Sequence, residues 1–262
     1  MHDPHPFTRW TTELEAKARA RTRTGDPDRS RGATLPPALI RSIQRFQVGE
    51  SGDGANLISK ADAAGDPTYA AAVRLFVAEE QNHARLLARL LNAAGHQPIS
   101  RHWTDAAFVH LRRAFGLRLE LMVLSVAEVI AVPYYSALRD GAPDQLTTRT
   151  AALIVADEQR HIPFHTQRLR AAFAPTPLRP LIRAAWWLIL YVAIAVVLYD
   201  HGPALRQLRI TRTEFARSAQ THFAPISATA LPPRRGRRHP VAAPSDDADL
   251  RYRSDPDRRA CR

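Results

Sequence analysis

The chain has 262 residues, enough for one sizeable core with extensions, and 45% of them are hydrophobic, as in globular proteins. Its formal charge of +12 comes almost wholly from arginine, since Lys17 and Lys60 are the only lysines, but no aromatic-interleaved basic face and no nucleic-acid motif accompanies it, which argues against a nucleic-acid partner. Cys261 is the only cysteine, excluding disulfide frameworks, zinc ribbons and cysteine-held electron-transfer modules within one chain; with no signal-like apolar stretch at the N-terminus, a cytoplasmic location is the expectation.

Residues 1–35 are polar, arginine-rich and broken by Gly and Pro, and read as a flexible arm with room for one short helix. The pattern then turns helical throughout, with no run of alternating β-branched residues. Helices are predicted over 36–62, 66–94, 104–140, 144–172, 178–200 and 203–222. They are separated by "AAGDP" at 63–67, "AAGHQP" at 93–98, "RDGAPD" at 139–144 and "APTP" at 174–177. Residues 36–174 then form an all-α bundle of four long helices, and 175–224 an apolar helix plus an amphipathic one, packed on the bundle or on a membrane surface. Residues 225–262, with "PPRRGRRHP" as their dense basic cluster, read as a disordered tail.

Within the first C-terminal helix, "AAWWLILYVAIAVVLY" at 184–199 is apolar for 16 residues. As a helix it spans about 24 Å, short of the ~30 Å hydrocarbon core. A helix buried against the bundle ranks first, an interfacial membrane anchor second and a membrane span third. Trp186, Trp187 and Tyr199 imitate an aromatic belt, and Arg179 and Arg183 would suit anionic headgroups.

An internal repeat organises the bundle. Glu50 precedes Glu80 by 30 residues, and His83 follows three later; Glu128 precedes Glu158 by 30 residues, and His161 follows three later. "AEEQNH" at 78–83 and "ADEQRH" at 156–161 agree at four of six places. Residues i and i+3 share a helix face, so each Glu-x-x-His pair projects side by side. Two such helices and two helices giving one Glu each would converge four carboxylates and two imidazoles in the interior, the donor set that di-iron and di-manganese bundles need. Apolar neighbours support burial: Glu128 shares its stripe with Leu121, Leu124, Ala131, Val132 and Tyr135, and Glu80 with Val73, Phe76, Val77, Ala84 and Leu87. Gln47 and Asp53 make the stripe of Glu50 the most polar. A buried carboxylate without a partner costs several kcal/mol or takes up a proton. A single Glu-x-x-His on a helix is more often a solvated pair. The paired spacing is what favours a metal site.

Glu50, Glu80-x-x-His83, Glu128 and Glu158-x-x-His161 resemble the ferritin-like superfamily of carboxylate-bridged di-iron proteins, over about residues 36–172. The resemblance implies a ferritin-like four-helix bundle holding two Fe ions, with manganese or a mixed Mn/Fe pair as alternatives. It further implies that Glu80 and Glu158 bridge the metals, Glu50 and Glu128 bind one each, and His83 and His161 cap them. Its members activate dioxygen or peroxide, store iron or oxidise small molecules.

Around this set, Glu79 and Asp157 can hold the second ring nitrogen of a metal-bound histidine, or lie on a solvated flank. His165, one turn beyond His161, is a candidate third nitrogen ligand or proton relay, though a lone histidine is more often only hydrogen-bonded. Pro133 and Pro163 inside helices, and Gly49, Gly52 and Gly54 beside Glu50, are expected to disturb helix geometry near the site. Tyr134 and Tyr135 are more readily structural aromatics than radical carriers.

The expected function is a non-haem di-iron oxidase or oxygenase acting with dioxygen on a small organic substrate. A separate electron-donor protein is required because the chain has no cysteine cluster. Ferroxidase, iron-handling or peroxide-detoxifying activity is the alternative. A non-catalytic helical module at a membrane surface or partner comes third, and a homodimer is compatible with all three.

Overall fold

A computed structural model describes residues 5–174 and 176–232. These residues are helical throughout, with ten α-helices and no strand among them. In chain order they are α1 (Thr8–Thr24), α2 (Pro37–Glu50), α3 (Ala55–Ala63), α4 (Pro67–Ala93), α5 (Trp103–Arg113), α6 (Leu117–Gly141), α7 (Gln145–Phe173), α8 (Arg179–Asp200), α9 (Gly202–Gln207) and α10 (Arg212–Ala230).

Local chemistry sets the boundaries of the long helices. Asp66 accepts a hydrogen bond from Tyr69 N at 2.9 Å and Pro67 opens α4, where its missing N–H costs nothing. Asp144 caps α7 in the same way through Thr147 N at 2.9 Å. A reciprocal capping box between Thr211 and Glu214 starts α10. Gly95, at φ +78°, ends α4 as His96 N returns to Leu91 O. The core is built from buried stripes such as Leu39, Ile40 and Ile43 on α2 and Val73, Phe76 and Val77 on α4. α6 packs along α7 after a three-residue connection, α2 packs on α4, and α4 on α7.

Several expected elements are revised. The segment 36–62 is two helices, because Gly54 takes φ +66° and stops any continuation from α2 into α3. The segment 104–140 is likewise α5 and α6, broken around Gly116. The single helix expected over 203–222 is α9 and α10, with Arg209 at φ +59° between them. Three helices therefore follow the 36–174 segment rather than two. α10 also continues to Ala230, so residues 225–230 of the expected tail are helical; residues 233–262 lie outside the described residues.

Within the arm expected over residues 1–35, the one short helix allowed for is present, and it is docked rather than loose. Residues 8–24 form α1, docked on α4, with Phe7, Trp10 and Leu14 buried. Trp10 Nε1 donates to Gln167 Oε1 at 2.7 Å, and Phe7 packs edge-on against Tyr69 and Phe164. Three apolar side chains at helical spacing are enough to dock a short helix however many arginines share its outer face.

Two helices are long and apolar enough to cross a membrane, but differ in burial: the most apolar window is 83% buried in α6 and only 22% buried in α8. The first-ranked reading of 184–199, a buried helix packed on the bundle, holds for the packing on α6 but not for the extent of burial. α8 buries one narrow stripe, Trp186, Leu190 and Ile194, with Trp186 Nε1 donating to Met122 O at 2.8 Å. Leu181, Leu188, Tyr191, Val192 and Tyr199 are exposed.

Candidate metal centre

Four helices each bring acid or imidazole to one point. Glu50 is the last residue of α2, Glu80 and His83 lie mid-way along α4, Glu128 mid-way along α6, and Glu158 and His161 mid-way along α7. They form two overlapping groups whose donor atoms all lie within 4.8 Å of one another: Glu50, Glu80, His83 and Glu158 in one, and Glu80, Glu128, Glu158 and His161 in the other. All six residues singled out in the sequence are present, and the two groups share Glu80 and Glu158. Such a cluster can hold metal.

The histidine rings face the cluster through Nδ1. His83 Nδ1 lies 3.4 Å from Glu158 Oε1 and 3.6 Å from Glu80 Oε1. His161 Nδ1 lies 3.2 Å from Glu80 Oε1, 3.3 Å from Glu128 Oε2 and 3.5 Å from Glu158 Oε2. Both rings are buried, as are Glu128 and Glu158, while Glu80 keeps about a fifth of its side chain accessible. Glu80 Oε1, His83 Nδ1 and Glu158 Oε1 are buried without a hydrogen-bond partner among the described residues. Unsatisfied polar atoms on three converging side chains are costly unless a cation takes their lone pairs, so the donor set fits a metal.

The opposite nitrogens are held by acids from the neighbouring helix. His83 Nε2, on α4, donates to Asp157 Oδ2 of α7 at 3.2 Å, and His161 Nε2, on α7, donates to Glu79 Oε2 of α4 at 3.0 Å. In the neutral ring each donation leaves Nδ1 as the acceptor atom facing the cluster, where His161 Nδ1 also lies within hydrogen-bond distance of Glu128 Oε2. Arginines balance the outer acids. Arg21 of α1 bonds Glu79, and Arg160 reaches Glu79 Oε2 at 3.3 Å and Asp157 Oδ1 at 2.7 Å.

Protonation follows from these neighbours. Burial alone would depress His83, but Asp157 and Glu158 outweigh it and raise its pKa well above the usual range. Burial likewise opposes His161, which Glu128, Glu158 and Glu79 carry well above the usual range. Burial, followed by repulsion from Glu80 and Glu158, raises Glu50; burial and Glu128 raise Glu158. Burial would also raise Asp157, yet the His83 hydrogen bond and Arg160 hold it down to about 2. Without cations, burial and mutual repulsion therefore favour the protonated forms of Glu50 and Glu158, the facing acids favour the charged forms of both imidazoles, and Asp157 favours its ionised form.

His165 stands apart from both groups. Its Nε2 is 3.5 Å from Glu128 Oε1, neither ring nitrogen has a hydrogen bond among the described residues, and burial followed by His161 lowers its pKa to about 3. It packs edge-on against Phe76 as a neutral ring. Tyr135 OH donates to Glu50 Oε1 at 2.9 Å, tying the end of α2 to α6. Tyr134 OH lies 2.7 Å from Ser42 Oγ, which in turn lies 2.8 Å from His201 Nδ1. α6 and α7 continue through Pro133 and Pro163.

Sequence reasoning missed Arg21, Arg160 and the contact between Tyr135 and Glu50. Arg160 stands inside "ADEQRH", so its proximity was readable; Arg21 lies 58 residues from Glu79, and no local pattern marks it. Sequence reasoning also gave no cavity. One of about 950 Å³ reaches Glu50, Glu80, Glu128 and Glu158 and is walled mainly by apolar side chains of α2, α5, α6 and α8. That is the upper range of small-molecule sites.

Compared with known proteins, the chain matches no family model, no curated protein and no solved structure.

Proposed function

We propose that the chain is a ferritin-like, non-haem di-iron oxidase or oxygenase that uses dioxygen on a small organic substrate. The observation that carries the proposal is the sharing of Glu80 and Glu158 between two ligand groups, each completed by one further Glu and one His. Charge supports the count of two ions: four ionised inner carboxylates balance two divalent cations, while Arg21 and Arg160 already neutralise Glu79 and Asp157. Glu80 and Glu158, which belong to both groups, would help hold both ions, with Glu50 and His83 holding one and Glu128 and His161 the other. Manganese suits the same donors.

Bound there, the metal pair would supply the redox chemistry of dioxygen reduction. The chain's own residues supply the setting. Asp157 and Glu79 fix the imidazole tautomers, Tyr135 holds Glu50, and mainly apolar walls line the approach to the carboxylates. For an oxygenation, one oxygen atom enters the substrate and the other leaves as water, with two electrons and two protons taken up. A separate donor protein provides the electrons. The apolar cavity beside the carboxylates favours an organic substrate over iron storage.

Metal content of purified protein, with oxygen uptake by the reduced form, tests the proposal. Two irons per chain and stoichiometric oxygen consumption are expected. Hundreds of irons per assembly would move the protein to iron handling, and no bound transition metal would overturn both.

A further inference from the structure

Leu188 and Val192 on α8 are 63% and 55% exposed, and both also line the cavity that reaches the carboxylates. Trp103 and Leu111 on α5 share this double position, with exposures of 56% and 43%. The rim and the interior are thus one continuous apolar surface, open at its outer end and ending at the Glu/His cluster. The exposed side of α8 extends the surface, since Leu181, Leu188, Val192 and Tyr199 recur at intervals of seven, four and seven. α5 buries none of its residues and covers the cavity with exposed and half-buried side chains, Phe108 among the latter.

An apolar rim around an open mouth has two ordinary occupants, a second copy of the chain or a lipid layer. A second copy seated on the rim would stopper the cavity. A lipid layer would instead join the cavity to a hydrocarbon phase. Charge favours the lipid too: the exposed Arg101 and Arg113 flank the two ends of α5, and Arg113 also lines the cavity. Apolar faces bordered by arginine suit an anionic headgroup layer. At 22 residues, α8 is about 33 Å long and would lie along the surface rather than cross it, because Trp186, Leu190 and Ile194 fasten its other side to the protein.

We propose that α5 and α8 rest on an anionic bilayer and that the cavity takes up the alkyl chain of a membrane-borne amphiphile from it. This inference rests on the di-metal reading of the cluster and names the substrate class of that site.

Full-length iron-loaded protein is floated with vesicles of phosphatidylcholine alone and of phosphatidylcholine with phosphatidylglycerol. Cavity binding is read separately by the fluorescence of cis-parinaric acid, a conjugated polyene fatty acid. The expected result is flotation at least tenfold greater with anionic vesicles, lost in the double variant Leu188→Asp, Val192→Asp with iron content unchanged. Ala193→Trp, within the cavity wall, should still float but bind cis-parinaric acid at least tenfold more weakly. Protein that ignores both vesicle types, or a double variant that floats like the parent, overturns the proposal. So does a dimer that the double variant splits while neither form floats, which would assign the face to a second copy. Iron counting on the same samples keeps the two readings apart. Glu158→Ala should lose metal yet float and bind the fatty acid, whereas a parent chain that floats without metal would sink only the di-metal reading.

Discussion

Asp157 accepts a hydrogen bond from Nε2 of His83 at 3.2 Å, although the two residues belong to different helices and His161 is only one turn away from Asp157 on its own. Glu79 makes the reciprocal bond to His161. The repeat therefore does more than duplicate candidate ligands: each copy aims the imidazole of the other, so the α4–α7 interface and ring orientation are set together. Removing one outer acid should loosen one ligand group before the other. Asp157→Asn is expected to weaken the ion held with His83 by 10- to 100-fold while leaving the His161 group closer to its original affinity. Chelator competition should change from one phase to two. Equal loss from both groups would show that the crossing carries no selectivity.

Arg21 makes α1 part of the site. It bonds Glu79, whose side chain is fully buried, from a helix far away in sequence. Arg21→Ala leaves Glu79 to Arg160 and His161 and should cost about 1–3 kcal/mol, less than a fully buried pair because Arg21 is partly accessible. Urea denaturation is the measurement, and the parent midpoint in the variant would contradict the role. Metal affinity should fall in the same variant, since Glu79 positions His161.

Gly54 is the N-cap of α3 and lies in the turn that follows Glu50 at the end of α2. Its φ of +66° disfavours any side chain, and a Cβ there would come within 2.6 Å of Val77 Cγ2. Gly54→Ala should destabilise the fold by about 1–3 kcal/mol and displace Glu50. Thermal melting together with metal titration should show loss in the Glu50 group first.

His201 gives a pH dependence separate from the Glu/His cluster. Burial, followed by repulsion from Arg45 and His102, lowers its pKa to about 3, with Asp200 facing it at 3.6 Å. The folded value lies below the unfolded one, so the unfolded chain binds the proton first; stability is full above about pH 6.5 and is lost as pH falls towards 3. At pH 5 this histidine alone should cost about 2 kcal/mol. His201→Gln should flatten that part of the profile in denaturant titrations at pH 7 and 5. An unchanged slope would mean that another group governs it.

Much of the site was legible because its chemistry is local and repeated. The 30-residue spacing and the paired Glu-x-x-His motifs put six side chains on the inner faces of four helices, and the structure brings those six together. Glu79 and Asp157 were visible as neighbours, but not the crossing, which depends on how α4 lies against α7. Phe7, Trp10 and Leu14 form too short a stripe among arginines to announce a docked helix. In α8, hydropathy measured how apolar the helix is, but not whether protein covers it. α6 and α8 look alike in sequence, yet only α6 is surrounded.

Iron stoichiometry of the parent chain and of Glu158→Ala, measured on the same day after identical anaerobic loading, tests the central claim most directly. Two irons per chain are expected for the parent. In Glu158→Ala, which removes a carboxylate common to both ligand groups, paired occupancy should disappear. Two tightly held irons in the variant would contradict the shared-carboxylate centre.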